Sequence, residues 1–115
     1  MDSILTSVKK MLGITEEYDH FDADIIMHIN STLSILQQLG VGPVGGFSIC
    51  GKEETWDDLL KEDITRLALV KTYLYLQVKL VFDPPLSSAM ISSMEKKMEE
   101  LEWRITNSYK EAKEV

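Results

Sequence analysis

The chain is poor in the residues that usually mark a chemical site. Its 115 residues include one cysteine, Cys50, and two histidines, His20 and His28. A lone thiol has no disulfide partner, so the sequence asks neither for an oxidising compartment nor for zinc, and Cys50 reads as a reduced thiol in a loop. His20 stands among Asp19, Asp22 and Asp24. No second nitrogen or sulfur ligand lies at a spacing zinc uses, and the pattern of a calcium loop is missing. Those acids read as a helix start, where the dipole favours negative charge. No serine or cysteine has a base nominated beside it. No catalytic, cofactor-binding or metal-binding residue is therefore expected, and the chain is expected not to be an enzyme. Long apolar runs are lacking too. No stretch is long enough to span a bilayer, and the opening MDSILTSVKKM has neither the basic start nor the continuous apolar core of a signal peptide. A soluble, cytoplasmic product without membrane contact is expected.

Charge is present but uneven. Residues 1–63 hold twelve acids against four lysines, a balance of −8, while residues 64–115 hold seven acids against eight bases, +1; together they give the net −7. An acidic surface repels phosphate, so binding of duplex DNA through a basic face is not expected as the main activity. Any role near DNA is expected to be that of a bystander or a conduit.

Helical periodicity fills most of the chain, and its length suits one domain. A first helix within 1–13 has Ser3 as its cap, the apolar series Ile4, Leu5, Val8, Met11 and Leu12, and Gly13 as its stop. After an acidic connector, Asp22 is the expected cap of a second helix within 22–40, whose stripe is Ile25, Ile26, Ile29, Leu33 and Leu36 and whose terminal glycine is Gly40. Four of the six glycines, Gly42, Gly45, Gly46 and Gly51, then fall in the segment 41–54. So long a glycine-rich connection in a small domain predicts a flexible, functional loop, with Phe47 and Ile49 able to form one short strand. It lacks the strand-loop-helix frame that cradling phosphate needs. Thr55 and Asp58 predict a capped short helix over 55–61. The fold class is accordingly all-α: a small bundle of four to five helices, with the glycine-rich loop between the second helix and the central one.

The central helix is expected over 63–83, apolar on nearly every side. Lys71, Tyr75 and Lys79 share one of its faces, either as a narrow wet ridge or as a basic ridge that meets an acidic patch on a neighbouring subunit. Asp83-Pro84-Pro85 makes a rigid corner, after which Ser87 or Ser88 caps a last helix over 87–113. Ile91, Met94, Met98, Leu101 and Ile105 form its seam, continued weakly by Ser108, Ala112 and Val115. Trp103 lies on the opposite side, among Glu99, Glu100, Thr106 and Asn107. Either the indole lies over its own helix, or it meets another subunit, and the enrichment of tryptophan at interface centres favours the second.

The segments ILTSVKKMLGI, FDADIIMHINS, LGVGP, VKTYLYLQVKLVFDPP and MEKKMEELEWR together resemble the head-tail connector family of tailed double-stranded DNA phages and prophages, also called adaptor or head-completion proteins, over residues 4–105. The resemblance implies an all-helical subunit in a homo-oligomeric ring, generally twelvefold, beneath the portal protein. Such a ring extends the DNA channel, through which DNA only passes, and docks the next head-completion or tail protein. It implies a place at the virion head-tail junction, reached from the host cytoplasm during assembly, and no catalysis. On that basis Lys71, Tyr75, Lys79 and Trp103 are expected at or near protomer contacts, and the loop residues Gly42, Pro43, Gly45, Gly46 and Phe47 at the axial channel or against the next protein. The loop VGPVGGFSIC has fewer acids than the resemblance suggests, and the tail ITNSYKEAKEV carries no aligned motif. Two other classes are consistent with the composition: a phage assembly or packaging factor absent from the finished particle, and a small helical regulator. The regulator would need a recognition helix rich in bases, and KKMEELEWR carries as many acids.

Overall fold

The computed structural model describes residues 3–61 and 64–114, with side chains for 3–61 and 65–107. Met1, Asp2 and Asp63, the side chains of Ser108 and Ala112, and all of Val115 lie outside the described residues. Five helices follow one another: α1 (Ile4–Met11), α2 (Asp22–Gln38), α3 (Trp56–Leu59), α4 (Ile64–Phe82) and α5 (Ser88–Glu114). Among the described residues there is no strand, only an isolated antiparallel bridge between Ser3 and Thr55.

The helix boundaries follow from local chemistry. Ser3 Oγ accepts the amide of Thr6 at 3.2 Å, satisfying one of the donors that α1 leaves unpaired. At its far end Gly13 N–H donates to Lys10 and Ile14 N–H to Lys9, the paired bonds of a Schellman turn. The same pair closes α2, where Gly40 N–H donates to Gln37 and Val41 N–H to Leu36, and this turn drives Val41 into the core. In α3, Thr55 and Asp58 form the expected reciprocal capping box.

The start of α2 departs from expectation. Phe21 is the cap position and makes no side-chain cap bond; Asp22 is the first helical residue. Its carboxylate is drawn instead to the ammonium of Lys9, 2.8 Å away, whose side chain is only 3% exposed and also donates to the Glu16 carbonyl at 3.0 Å. A buried lysine needs an anion more than this helix end needs a cap.

α4 is the axis of the bundle, packed against α2 on one side and α5 on the other, while α1 leans on α2. Val70, Tyr73, Leu74 and Val78 are buried along it, and Met98, Leu101 and Ile105 come down from α5. Ile91 and Met94, nearer the corner, are half-buried. Asp83-Pro84-Pro85 ends α4 as expected, and Ser87, the position before α5, accepts the amide of Met90 at 3.3 Å. At 1.5 Å per residue, the 27 residues of α5 give a rod of about 40 Å, close to the longest dimension of the molecule, 44 Å.

Candidate functional site

Three surfaces carry the residues of interest. The first is the segment between α2 and α3. The strand expected around Phe47 and Ile49 does not form, because Asn30 of α2 takes both backbone partners of Ile49: its Nδ2 donates to the Ile49 carbonyl at 2.9 Å and its Oδ1 accepts the Ile49 amide at 2.7 Å. A side-chain amide thus does the work of a neighbouring strand, and Ile49 is buried while Phe47 packs partly against the core. Val41 and Ile49 anchor the segment, leaving Pro43, Val44 and Gly45 exposed at its tip. Gly42 and Gly46 hold φ of 99° and 93°, the left-handed region that side chains disfavour. The space is closed as well, since a Cβ would sit 3.3 Å from Leu59 Cδ1 at Gly42 and 3.1 Å from Gln37 Oε1 at Gly46.

The second surface is the α4 face bearing Lys71, Tyr75 and Lys79. Both lysines have partners within the chain. Lys71 Nζ lies over the Trp56 ring, 5.3 Å from its centroid, and Lys79 Nζ is 2.9 Å from the Asp83 carboxylate one turn on. Tyr75 is half-buried. Beneath Lys71, Trp56 is 4% exposed, and its indole N–H donates to Ser7 Oγ at 3.1 Å, locking α3 to α1. The sequence marks Trp56 only as the first residue of a short helix; that it closes the core depends on contact with a residue 49 positions away.

The third surface runs along α5 and the corner. Trp103 is 67% exposed, with no ring or cation contact among the described residues. Its backbone carbonyl accepts a bond from Asn107. Glu100 beside it is held below the usual carboxylate range by the hydrogen bond from Arg104 and then by the charge of Lys97. On the other side of α5, an open groove of about 390 Å³ runs between α4 and α5 toward the corner. At its inner end the buried Tyr73 hydroxyl donates to Glu102 Oε2 at 2.9 Å, and burial followed by that carboxylate pushes the phenol well above its ordinary value of 10.0. Val81, Leu86 and Met90 stand exposed around the corner. Sequence reasoning does not find this groove. The available signal is a surplus of apolar residues at the corner, more than one seam can bury.

Among the described residues no group of three His, Cys, Asp or Glu is placed to hold a metal, and no helix is long and apolar enough to cross a membrane. His20 instead stacks edge-on with Phe21, which in turn meets Phe82 at 5.4 Å, tying the acidic connector to the end of α4.

The chain is thus a small all-α body with a helical axis and apolar groups left open along one long helix. The family follows from the sequence: the model of the phage connector protein family matches residues 4–112, and the chain belongs to that family. Membership gives it a head-tail connector role at the head-tail junction of a phage virion, in assembly with the portal and other virion proteins. No curated protein and no solved structure matches it.

Proposed function

We propose that the chain is a non-catalytic ring subunit, assembled from the host cytoplasm beneath the portal, that extends the DNA channel and docks the next head-completion or tail protein. The family resemblance implies twelve subunits in such a ring. The observation that carries the reading is Trp103, exposed on the helix that also supplies a core seam. An indole left in water along so long a helix is best explained by a neighbour that covers it. Lys71 and Lys79 already hold partners within the chain, so the protomer contact rests on Trp103, with Tyr75 beside it only as a half-buried neighbour. The exposed tip of residues 43–45 is assigned to the channel or to the next protein in the stack. The net charge of −7 suits a channel wall that passes DNA without gripping it.

Density from assembled particles tests the reading directly. A helical ring under the portal into which this chain fits supports it. Particles whose proteins, by mass spectrometry, omit the chain would make it an assembly factor instead.

A further inference from the structure

We propose that Trp103 of one copy inserts into the α4–α5 groove of the next, so that the ring is closed by one repeated head-to-tail contact. This rests on the ring reading above and says which two surfaces meet. The groove floor is Leu80, Val81, Pro84, Ile91 and Met98, an apolar bed. Its polar atoms belong to Gln77, Glu95 and Glu102, so the groove offers acceptors and carries no base. An indole has the complementary character, a large apolar ring with a single N–H donor and no acceptor. The groove's volume falls within the range of sites that take a small ring system.

Charge agrees with the fit. Lys96 lies seven residues before Trp103, so it shares the same stripe of α5 two turns away. Neither Lys96 nor Glu95 has an ionic partner among the described residues, whereas Lys97 and Arg104 are both engaged by Glu100. A copy presenting Lys96 and Trp103 to a groove edged by Glu95 therefore brings together two unpaired charges of opposite sign.

The two surfaces cannot meet inside one chain. Glu102, in the groove, and Trp103, outside it, are consecutive residues and point about 100° apart round the same helix. Each copy is thus donor on one side and acceptor on the other. That is the heterologous geometry that generates rings when the rotation closes.

The test is a photo-crosslinking benzophenone amino acid at position 103 of the full chain, at concentrations where native mass spectrometry finds oligomers. Crosslinks to residues 77–98 of a second copy are expected. Crosslinks between copies elsewhere overturn the groove assignment while leaving a ring in place. A chain monomeric at every concentration overturns the self-contact, and the connector reading then stands or falls on the particle density.

Two surface variants sharpen the test. Trp103→Ala and the groove-filling Val81→Trp should each weaken association by about thirty-fold or more with unchanged helical circular dichroism. Association of Val81→Trp as tight as that of the unaltered chain counts against the groove. Lys96→Glu should weaken association, and adding Glu95→Lys should restore it; a double variant no tighter than the single overturns the proposed register.

Discussion

The two tryptophans stand in contrasting regions. Trp56, in the acidic N-terminal half, is enclosed, hydrogen-bonded through its indole and roofed by Lys71. Trp103, in the charge-balanced α4–α5 hairpin, has none of these and stands in solvent. The regions around them differ in the same way. The N-terminal half is short of regular structure and is held by single polar clips between distant segments: Lys9 to Asp22, Asn30 to Ile49, and the Ile4 amide to the Glu54 carbonyl at 3.0 Å. The hairpin joins its two helices by the Tyr73 to Glu102 hydrogen bond and by its apolar seam. Clips consume the polar groups of the first region in holding itself together. A seam occupies one face of a helix and leaves the rest free for another protein.

On this contrast, Trp56→Ala should be the most damaging substitution, costing about 4 kcal/mol through the cavity and the lost anchor for α3, read from chemical denaturation. Lys9→Ala comes next. It strands the Asp22 carboxylate and should cost about 3 kcal/mol, the low end for a broken buried pair because Asp22 keeps some contact with water. Loss of only a few tenths would mean that the acidic connector does not depend on its clip. Asn30→Ala leaves both backbone groups of Ile49 without their partner and should cost about 2 kcal/mol, with amide exchange rising selectively over residues 41–54.

In the hairpin, Tyr73→Phe should cost about 1 kcal/mol near neutral pH. It also carries a pH signature. The folded phenol titrates above its unfolded value of 10.0, so the stabilisation is complete below pH 10 and is lost as the pH rises through the folded value. The unaltered protein should therefore lose stability above pH 10 more steeply than Tyr73→Phe, as thermal melts across that range would show. The smallest effect on folding belongs to Trp103→Ala, within about 0.5 kcal/mol, as for other surface positions. A loss comparable to that of Trp56→Ala would place the second indole in the core and erase the distinction between the two regions.

Much of the fold is legible because it is local. Gly13, Gly40 and the Asp83-Pro84-Pro85 corner end helices through their own backbone chemistry, and Ser3 and Thr55 begin them. The seam through Met98, Leu101 and Ile105 follows from helical spacing alone, as does the placement of Trp103 opposite it. The candidate site is less legible. Asp22 looks like a cap until Lys9 arrives from another helix, and Phe47 with Ile49 looks like a strand until Asn30 supplies the bonds a strand would need. Lys71 and Lys79 read as one face, a wet ridge or a basic one, and nothing in their spacing announces that Trp56 lies beneath the first or that Asp83 pairs with the second, while the groove beside Val81 exists only once two helices are set side by side.

The sequence by itself determined that this protein is a small all-α bundle of four to five helices, how several of them are capped and stopped, and that it belongs among phage connectors, since periodicity, caps and motifs are properties of neighbouring residues. Tertiary structure alone decided which tryptophan is enclosed and which polar groups are already engaged. Those outcomes depend on contacts between residues far apart in the chain, and burial is settled only when the helices pack.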